Sequence, residues 1–327
     1  MNKSDIFWQT YLNLEKELIE VSKYIFMTDM ITVVKDGVAT TQPYKSQLET
    51  FSPYIADLLV RCCVQIDAIS KELYFGLNGE KKRGDKTIKF DEDCLKLVDK
   101  KWSTHKKIVL VVAPTFNLTD EDNLVLRPLN KAHEWQGTYW ERCYQAVKHD
   151  RYALLAKGNI RALINAMAAL YLLNLYLRDV AIENVDKDKA HSTDCSFGSS
   201  VFAVKLHKIS GLSVDGTYPI GTDYDECVYI EEYEEKSKVA GLKALEETNS
   251  KFVDGLMEIV LERINEEIAA GKDVELSLEE VLARLDVVKK EPESISRAAK
   301  KMPKGITAPL MGLKYNVVLN KNQYKRE

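Results

Sequence analysis

The sequence lacks the short motifs that mark several common enzyme classes. It contains no G-x-x-x-x-G-K-[ST] phosphate loop, no G-x-G-x-x-G dinucleotide fingerprint, no H-E-x-x-H metalloprotease helix and no G-x-S-x-G nucleophile elbow. These absences argue against a P-loop nucleotide hydrolase, a dinucleotide-dependent dehydrogenase, a zinc protease of that type and an α/β-hydrolase.

Paired cysteines are also missing. The six cysteines form no C-x-x-C pair, and no histidine lies at zinc-finger spacing from them; they are Cys62, Cys63, Cys94, Cys143, Cys195 and Cys227. Two D-x-D pairs, at 186–188 and 223–225, fall in polar segments where such spacing is frequent. The sequence therefore predicts reduced, buried thiols in a cytoplasmic protein, with no metal and no cofactor.

Long apolar runs are absent as well. The longest strongly apolar run, residues 166–173, is too short to cross a bilayer and is followed by Asn174 and Arg178. The first residues, MNKSDIFWQTYLNLEKEL, lack the apolar core and cleavage site of a signal peptide. We therefore expect a soluble protein without a membrane partner. The net charge of −4 argues against a generally basic nucleic-acid binder, although it allows a local basic patch.

What is present indicates a mainly α protein of 327 residues. We predict a helical bundle over residues 1–183, decorated by a small β-hairpin at Asp36-Gly37, and a mixed α/β region of unassigned role over 184–327. The acidic run 223–236 is expected to be mostly solvated surface. For the lysine-rich segment 80–107, a solvated face is favoured over an RNA-phosphate surface.

The predicted helix over residues 138–156 carries the candidate site. At 100° per residue, Arg142 and His149 project within about 20° of each other, two turns apart, and Gln145 lies near the same line. The opposite, core-facing side is formed by Trp140, Cys143, Val147 and Leu154. Arg142, Gln145 and His149 thus share the polar face of an amphipathic helix.

An arginine and a histidine so placed have the chemistry for RNA cleavage without a metal. Histidine exchanges a proton with the 2′-hydroxyl or the leaving 5′-oxygen, and arginine stabilises the charge on the phosphoryl oxygens. A symmetric dimer would bring two of each around one phosphate. The alternative is an ordinary surface histidine with Arg142 paired to a neighbouring acid.

Three further side chains are candidate substrate ligands. Lys148 flanks the polar line, and Tyr144 and Arg151 have similar angular positions on the predicted helix. Arg151 is expected either to hold the helix pair together or to bind a phosphate. Trp140 is expected in the core rather than as a platform for base stacking.

The segment Y-W-E-R-C-Y-Q-A-V-K-H-D-R, residues 139–151, followed by an alanine-rich apolar helix, resembles a bacterial pattern. That pattern, W-W-x-x-Y-N-x-V-K-H-x-R, is associated with the HEPN superfamily of helical domains, and the resemblance covers residues 1–183. It implies a bundle that dimerises, often a metal-independent endoribonuclease of toxin–antitoxin or phage-defence systems.

The HEPN active motif, R-x(4–6)-H, falls here on Arg142 and His149. In the commonest spacing the arginine lies five positions before the histidine, and this chain has Tyr144 at that position. The asparagine of the pattern is replaced here by Gln145. These departures keep a second interpretation open. In it, the chain is a non-catalytic HEPN-like module that dimerises, binds a ligand or RNA, and regulates a protein partner.

Overall fold

The computed structural model describes residues 2–44, 47–81, 87–132, 134, 137–213, 215–217, 219–274 and 277–322. Helices predominate in this part of the chain, which confirms the mainly α prediction. The α-helices are α1 Lys3–Ser22, α2 Pro53–Gly76, α3 Lys96–Trp102, α4 Glu121–Leu124, α5 Tyr139–His149, α6 Arg151–Leu154, α7 Ile160–Arg178, α8 Lys187–His191, α9 Glu235–Ala269, α10 Leu278–Val288, α11 Pro292–Lys301 and α12 Ala308–Met311. The strands are β1 Met30–Lys35, β2 Val38–Pro43, β3 Val109–Val111, β4 Val125–Leu126, β5 Ile182–Asp186, β6 Phe202–Val204, β7 Leu206–His207, β8 Tyr229–Tyr233 and β9 Lys314–Leu319.

Helix α7 is the centre of the bundle. It packs against α1, α2 and α5, and nearly all its side chains from Ile160 to Tyr176 are buried. By length and composition it could cross a membrane, but 83% of its most apolar window is buried inside the protein. A helix covered by protein on every side is a core helix, so α7 builds the bundle rather than a bilayer anchor.

The hairpin predicted at Asp36-Gly37 is confirmed. Strands β1 and β2 pair antiparallel, and both turn residues have positive φ, 52° at Asp36 and 78° at Gly37. Two positive φ values are the requirement of a type I′ turn, which matches the twist of the flanking strands. Most hairpin side chains are exposed, so the hairpin decorates the bundle.

Two small sheets join the N-terminal and C-terminal parts of the chain. Strand β3 pairs with β6 in the order β4-β3-β6, and β5 pairs with β9 in the order β5-β9-β8-β7. One hydrophobic core runs continuously from Trp8 to Leu319. The predicted boundary near residue 184 therefore does not separate two cores, because the three-stranded sheet combines strands from both sides of it and β5 runs across it.

A second, smaller core lies within the C-terminal helices. Leu256, Ile259 and Ile264 of α9 pack on Leu285 of α10 and Ala298 of α11. Helix α10 begins where the sequence predicted, with the Ser277 hydroxyl accepting a hydrogen bond from the Glu280 N–H at 3.2 Å. Helix α11 was not predicted.

The acidic run 223–236 was expected to be solvated, and this prediction is wrong for its centre. Residues 229–233 form β8, and the Glu231 side chain is fully buried. Its carboxylate is 2.6 Å from His191 Nδ1 and accepts a hydrogen bond from the Ile209 N–H at 3.2 Å. A buried carboxylate is tolerated when it is paired in this way.

Candidate functional site

The N-terminal end of α5 is held by a reciprocal cap. The Thr138 hydroxyl accepts a hydrogen bond from the Glu141 N–H at 3.3 Å, and the Glu141 carboxylate accepts from the Thr138 N–H at 2.5 Å and hydroxyl at 2.9 Å. This T-x-x-E arrangement satisfies two backbone donors that a helix start otherwise leaves unpaired. The helix begins at Tyr139 for that reason.

The apolar side of α5 faces the core as predicted for Trp140, Cys143 and Val147, all of which are buried. Trp140 also donates a hydrogen bond from its indole N–H to the Pro128 carbonyl at 2.8 Å. Leu154, by contrast, is 37% exposed, and its prediction as a core residue is wrong. It lies beyond the end of α5, so the helical periodicity does not reach it.

The predicted helix 138–156 breaks at Asp150. Helix α5 ends at His149, and the Asp150 carboxylate accepts a hydrogen bond from the Ala153 N–H at 3.0 Å, capping the short helix α6. Arg151 therefore opens a new helix and does not share the α5 surface with Tyr144. Because the helix is interrupted, Tyr144 and Arg151 do not have the similar angular positions that the sequence predicted.

Arg142 and His149 do not converge within one chain. The Arg142 guanidinium donates a hydrogen bond to the Gly137 carbonyl at 2.9 Å, so the exposed side chain extends toward the start of α5. His149 ends the helix, about 10 Å farther along the axis at 1.5 Å per residue. Its exposed imidazole has no hydrogen bond or ion pair to any residue that the structure describes.

The other predicted site residues differ in accessibility. Gln145 is half-buried between Arg142 and His149, whereas Lys148 and Arg151 are exposed. The Tyr144 ring is 9% exposed, and burial raises the pKa of its hydroxyl. The Lys148 ammonium lies 5.6 Å from the centre of that ring. Tyr144 thus supports Lys148 through a cation–π contact and offers little surface of its own.

Arg142 stands where two cavities meet. The larger, of about 700 Å³, lies between α5, the segment before α2 and the turn before α7. It is lined by Glu49, Phe51, Tyr139, Arg142, Cys143, Ala146, Ala156, Lys157 and Asn159. The smaller, of about 320 Å³, is lined by Phe90, Asp91, Ala132, Glu134, Gly137, Glu141, Arg142 and Gln145. Arg142 is thus the guanidinium common to both spaces.

Glu141 is a titratable group that the sequence reasoning did not select. Burial raises its pKa from 4.5 to about 7, against the opposing effect of the hydrogen bonds from Thr138. Its position could have been found, because T-x-x-E before an amphipathic helix is a recognisable cap. The burial of Glu141 could not have been found from the sequence, since it depends on α2 and on the segment at Phe90.

Within the described residues, metal-ligating side chains come together far from α5. His207, Asp223 and Cys227 place their ligand atoms within 4.8 Å of one another at the edge of the four-stranded sheet. The sequence predicted no metal ligands here, since the histidine lies sixteen positions before the aspartate.

The geometry of α5 and its cavities is the basis on which a function can be assigned. Comparison with models of protein families, with curated proteins and with solved structures finds nothing that matches this chain.

Proposed function

We propose that the protein is a metal-independent endoribonuclease that acts as a homodimer, with Arg142 and His149 as its catalytic pair. The observation that carries the proposal is the cavity of about 700 Å³ at Arg142. It combines two cations with two partly exposed aromatic rings, which is the combination that recognises a single-stranded nucleotide.

The cations of this cavity are Arg142 and Lys157, and its aromatic rings belong to Phe51 and Tyr139. Phe51 is 47% exposed and Tyr139 is 37% exposed, so both rings present a face on which a base can stack. The Tyr139 hydroxyl accepts a hydrogen bond from the Asn159 side chain at 3.1 Å, which fixes the ring. The cavity suits one unpaired nucleotide and its phosphate.

The dimer follows from the separation of Arg142 and His149. Since the two side chains lie at opposite ends of α5, a single chain cannot place both on one phosphate. Antiparallel packing of α5 on the α5 of a second copy would set Arg142 of one subunit beside His149 of the other, twice. The exposed side chains at this surface, including Lys148 and Tyr152, leave it accessible to a second copy.

The cleavage step uses these groups and a water molecule. The His149 imidazole of one subunit takes the proton of the 2′-hydroxyl, whose oxygen attacks the neighbouring phosphorus. The bond from phosphorus to the 5′-oxygen breaks, and the leaving oxygen takes a proton from a water molecule, which in turn takes one from the same imidazolium. Arg142 stabilises the negative charge on the non-bridging oxygens. The products are a 2′,3′-cyclic phosphate and a 5′-hydroxyl end.

The bundle of α1, α2, α5 and α7 supports the HEPN resemblance, since the motif helix packs directly on the alanine-rich apolar helix that follows it. With that resemblance we propose a cytoplasmic role in a toxin–antitoxin or phage-defence system. The RNA target would be single-stranded at the cleaved position, because an in-line attack and base stacking both need an unpaired nucleotide.

The test is cleavage of a mixed RNA substrate in excess EDTA by the wild type, His149→Ala, Arg142→Ala and His105→Ala. His149→Ala should lower the rate by about 100-fold or more, as loss of a general acid or base does. Because His149 is exposed and its side chain forms no hydrogen bond or ion pair with the described residues, this variant should fold normally. His105→Ala removes a histidine outside the proposed site, between α3 and β3, and should retain the wild-type rate. Equal cleavage by the wild type and His149→Ala would exclude the proposed mechanism.

A second function is favoured by the smaller cavity. Asp91, Glu134 and Glu141 surround Arg142 there, and carboxylates so placed disfavour a phosphate. In this alternative the chain is a non-catalytic dimerisation module that regulates a protein partner. A stable dimer by sedimentation, with neither RNA cleavage nor RNA affinity at low salt, would support it over the ribonuclease.

A further inference from the structure

We propose that His207, Asp223 and Cys227 bind one divalent cation of the Zn²⁺ type. His207 Nδ1 lies 2.8 Å from one carboxylate oxygen of Asp223, and the Cys227 sulfur donates to the other at 3.5 Å. All three ligand atoms fall within 4.8 Å of one another. Zinc ligands at about 2.0–2.3 Å from the metal are separated by distances in this range, so small side-chain movements would complete the site.

The fold brings the three residues together at one sheet edge. His207 ends β7, which pairs parallel with β8 through His207 and Ile230. Cys227 lies two residues before β8, and its N–H donates to the Asp223 carbonyl at 3.2 Å, closing a helical turn. Asp223 and Cys227 therefore project from the same side of this turn, four residues apart, toward the end of β7.

The turn is fixed from two other parts of the molecule. The buried Asn320 side chain donates to the carbonyls of Tyr224 at 2.7 Å and Cys227 at 3.1 Å. The Ile108 N–H donates to the Glu226 carbonyl at 3.0 Å. Ligands held on a preorganised backbone lose little conformational entropy on binding, which favours a metal.

The buried His207 ring has one nitrogen directed at Asp223 and the other without a hydrogen bond. His207 is 3% exposed, and its Nε2 has no hydrogen-bond partner among the residues that the structure describes. Buried polar atoms in native proteins are almost always paired, and an exception calls for an ion, a water molecule or a functional reason. A metal would bind through Nδ1, so the partner that Nε2 lacks would be a second-shell group, such as a water molecule, that orients the imidazole.

The site keeps an open approach. The Asp223 side chain is 49% exposed, so the carboxylate side of the cluster faces solvent. Gly221 borders it, and a Cβ there would lie 2.8 Å from Asp223 Oδ1 and 3.1 Å from His207 Cε1. Glycine therefore keeps free the space beside the ligands. Three protein ligands with one open position are the arrangement of zinc sites that also hold water or substrate.

The ligand set selects the cation. One imidazole nitrogen, one carboxylate oxygen and one thiolate sulfur suit Zn²⁺ and its neighbours, whereas Mg²⁺ and Ca²⁺ prefer oxygen alone. The carboxylate and thiolate together neutralise a dication. Metal binding would displace the protons of the two hydrogen bonds that His207 Nδ1 and the Cys227 sulfur form with the Asp223 carboxylate.

The test uses the purified full-length chain, reduced and stripped of metal with a chelator that is then removed. Zn²⁺ is titrated in competition with a chromophoric chelator, and Co²⁺ is added separately to record the thiolate-to-cobalt absorption band. The variants are Asp223→Asn and Cys227→Ser, and Cys195→Ser is the matched control because Cys195 bonds only to a backbone carbonyl. Asp223→Asn keeps the shape of an exposed side chain and should fold, so it tests metal binding even if Cys227→Ser does not fold.

We expect one Zn²⁺ per wild-type chain, binding at least about 10-fold weaker in Asp223→Asn, and loss of the cobalt–thiolate band in Cys227→Ser. Cys195→Ser should behave as the wild type. Substoichiometric binding by the wild type, or an unchanged band in Cys227→Ser, would overturn the proposal. None of these readouts involves RNA, so the outcome is independent of the proposed ribonuclease.

Discussion

The two ends of α5 differ sharply in how their side chains are held. At the N-terminal end, Thr138 and Glu141 cap each other, and Trp140 is buried with its indole bonded to Pro128. At the C-terminal end, His149 and Arg151 are exposed, and their side chains form no hydrogen bond or ion pair with the described residues. The side chains at one end stabilise the fold, whereas those at the other end are exposed.

This difference shows that the side chains with the most suggestive chemistry are the least constrained by the fold. The monomer does not hold Arg142 and His149 as a pair, since no hydrogen bond or ion pair with a described residue orients the imidazole. For the proposed cleavage, a second subunit or the RNA would have to orient these side chains. Substitutions along α5 should therefore affect stability strongly at one end and function at the other.

The largest loss of stability is expected for Trp140→Ala. Removing a fully buried indole, together with its hydrogen bond to Pro128, should lower the free energy of unfolding by about 3–5 kcal/mol. Urea unfolding measures this value. Tyr152→Ala, at a side chain that is 99% exposed just past the end of α5, is the matched control and should change stability by less than about 0.5 kcal/mol. Similar values for the two variants would contradict the contrast between the ends.

Glu141 predicts a pH dependence at the same end. Its folded pKa of about 7 lies above the ordinary 4.5, so between these values the folded state keeps a proton that the unfolded state releases. The neutral carboxyl therefore stabilises the folded state below pH 4.5. This contribution to the free energy of unfolding, up to about 3 kcal/mol, is lost as the pH rises toward 7. We expect the stability of the wild type relative to Glu141→Gln to fall across this window. A constant difference from pH 5 to pH 8 would contradict the raised pKa.

Gly158 tests the core-facing side of α5, where the turn before α7 contacts Val147. A Cβ at Gly158 would lie 2.7 Å from the Ala56 Cβ and 3.1 Å from a Val147 methyl, so Gly158→Ala should cost about 1–3 kcal/mol. Gly76→Ala adds a methyl to open space at the end of α2 and serves as control. Thermal unfolding of the two variants should differ by several degrees, and equal melting temperatures would argue against the close approach.

The smallest effect is expected at the free end. His149→Ala should change the free energy of unfolding by less than about 0.5 kcal/mol, because the imidazole is exposed and has no partner among the described residues. Chemical unfolding of this variant also validates its use in the cleavage assay. A loss above 1 kcal/mol would show that His149 supports the fold, which would remove the contrast between the two ends.

Elements stabilised by local interactions were predictable from the sequence. The type I′ hairpin depends on Asp36-Gly37, and α2 begins at Pro53 because the Ser52 hydroxyl accepts a hydrogen bond from the Ile55 N–H. The burial of α7 also followed from its composition. On α5, the core positions Trp140, Cys143 and Val147 were predicted correctly, whereas Tyr144, expected as a ligand, is largely buried.

Features that depend on distant partners were not predictable. The break at Asp150 required the carboxylate to cap α6 rather than continue the helix, a local competition that the periodicity does not reveal. From the sequence, Glu231 is expected at the surface. Only the fold brings it beside His191, which lies forty positions earlier in the chain. The cluster of His207, Asp223 and Cys227 likewise appears only when β7 lies beside β8.

The pairing of β9 has a consequence for how the chain folds. This strand lies between β5 and β8, and 128 positions separate Asp186 of β5 from Lys314 of β9. Closing a loop of that length costs entropy before any strand contact repays it, so the four-stranded sheet should be completed late in folding. Until then β5 and β8 each expose an unpaired edge, and self-association at those edges is the expected way for this chain to misfold.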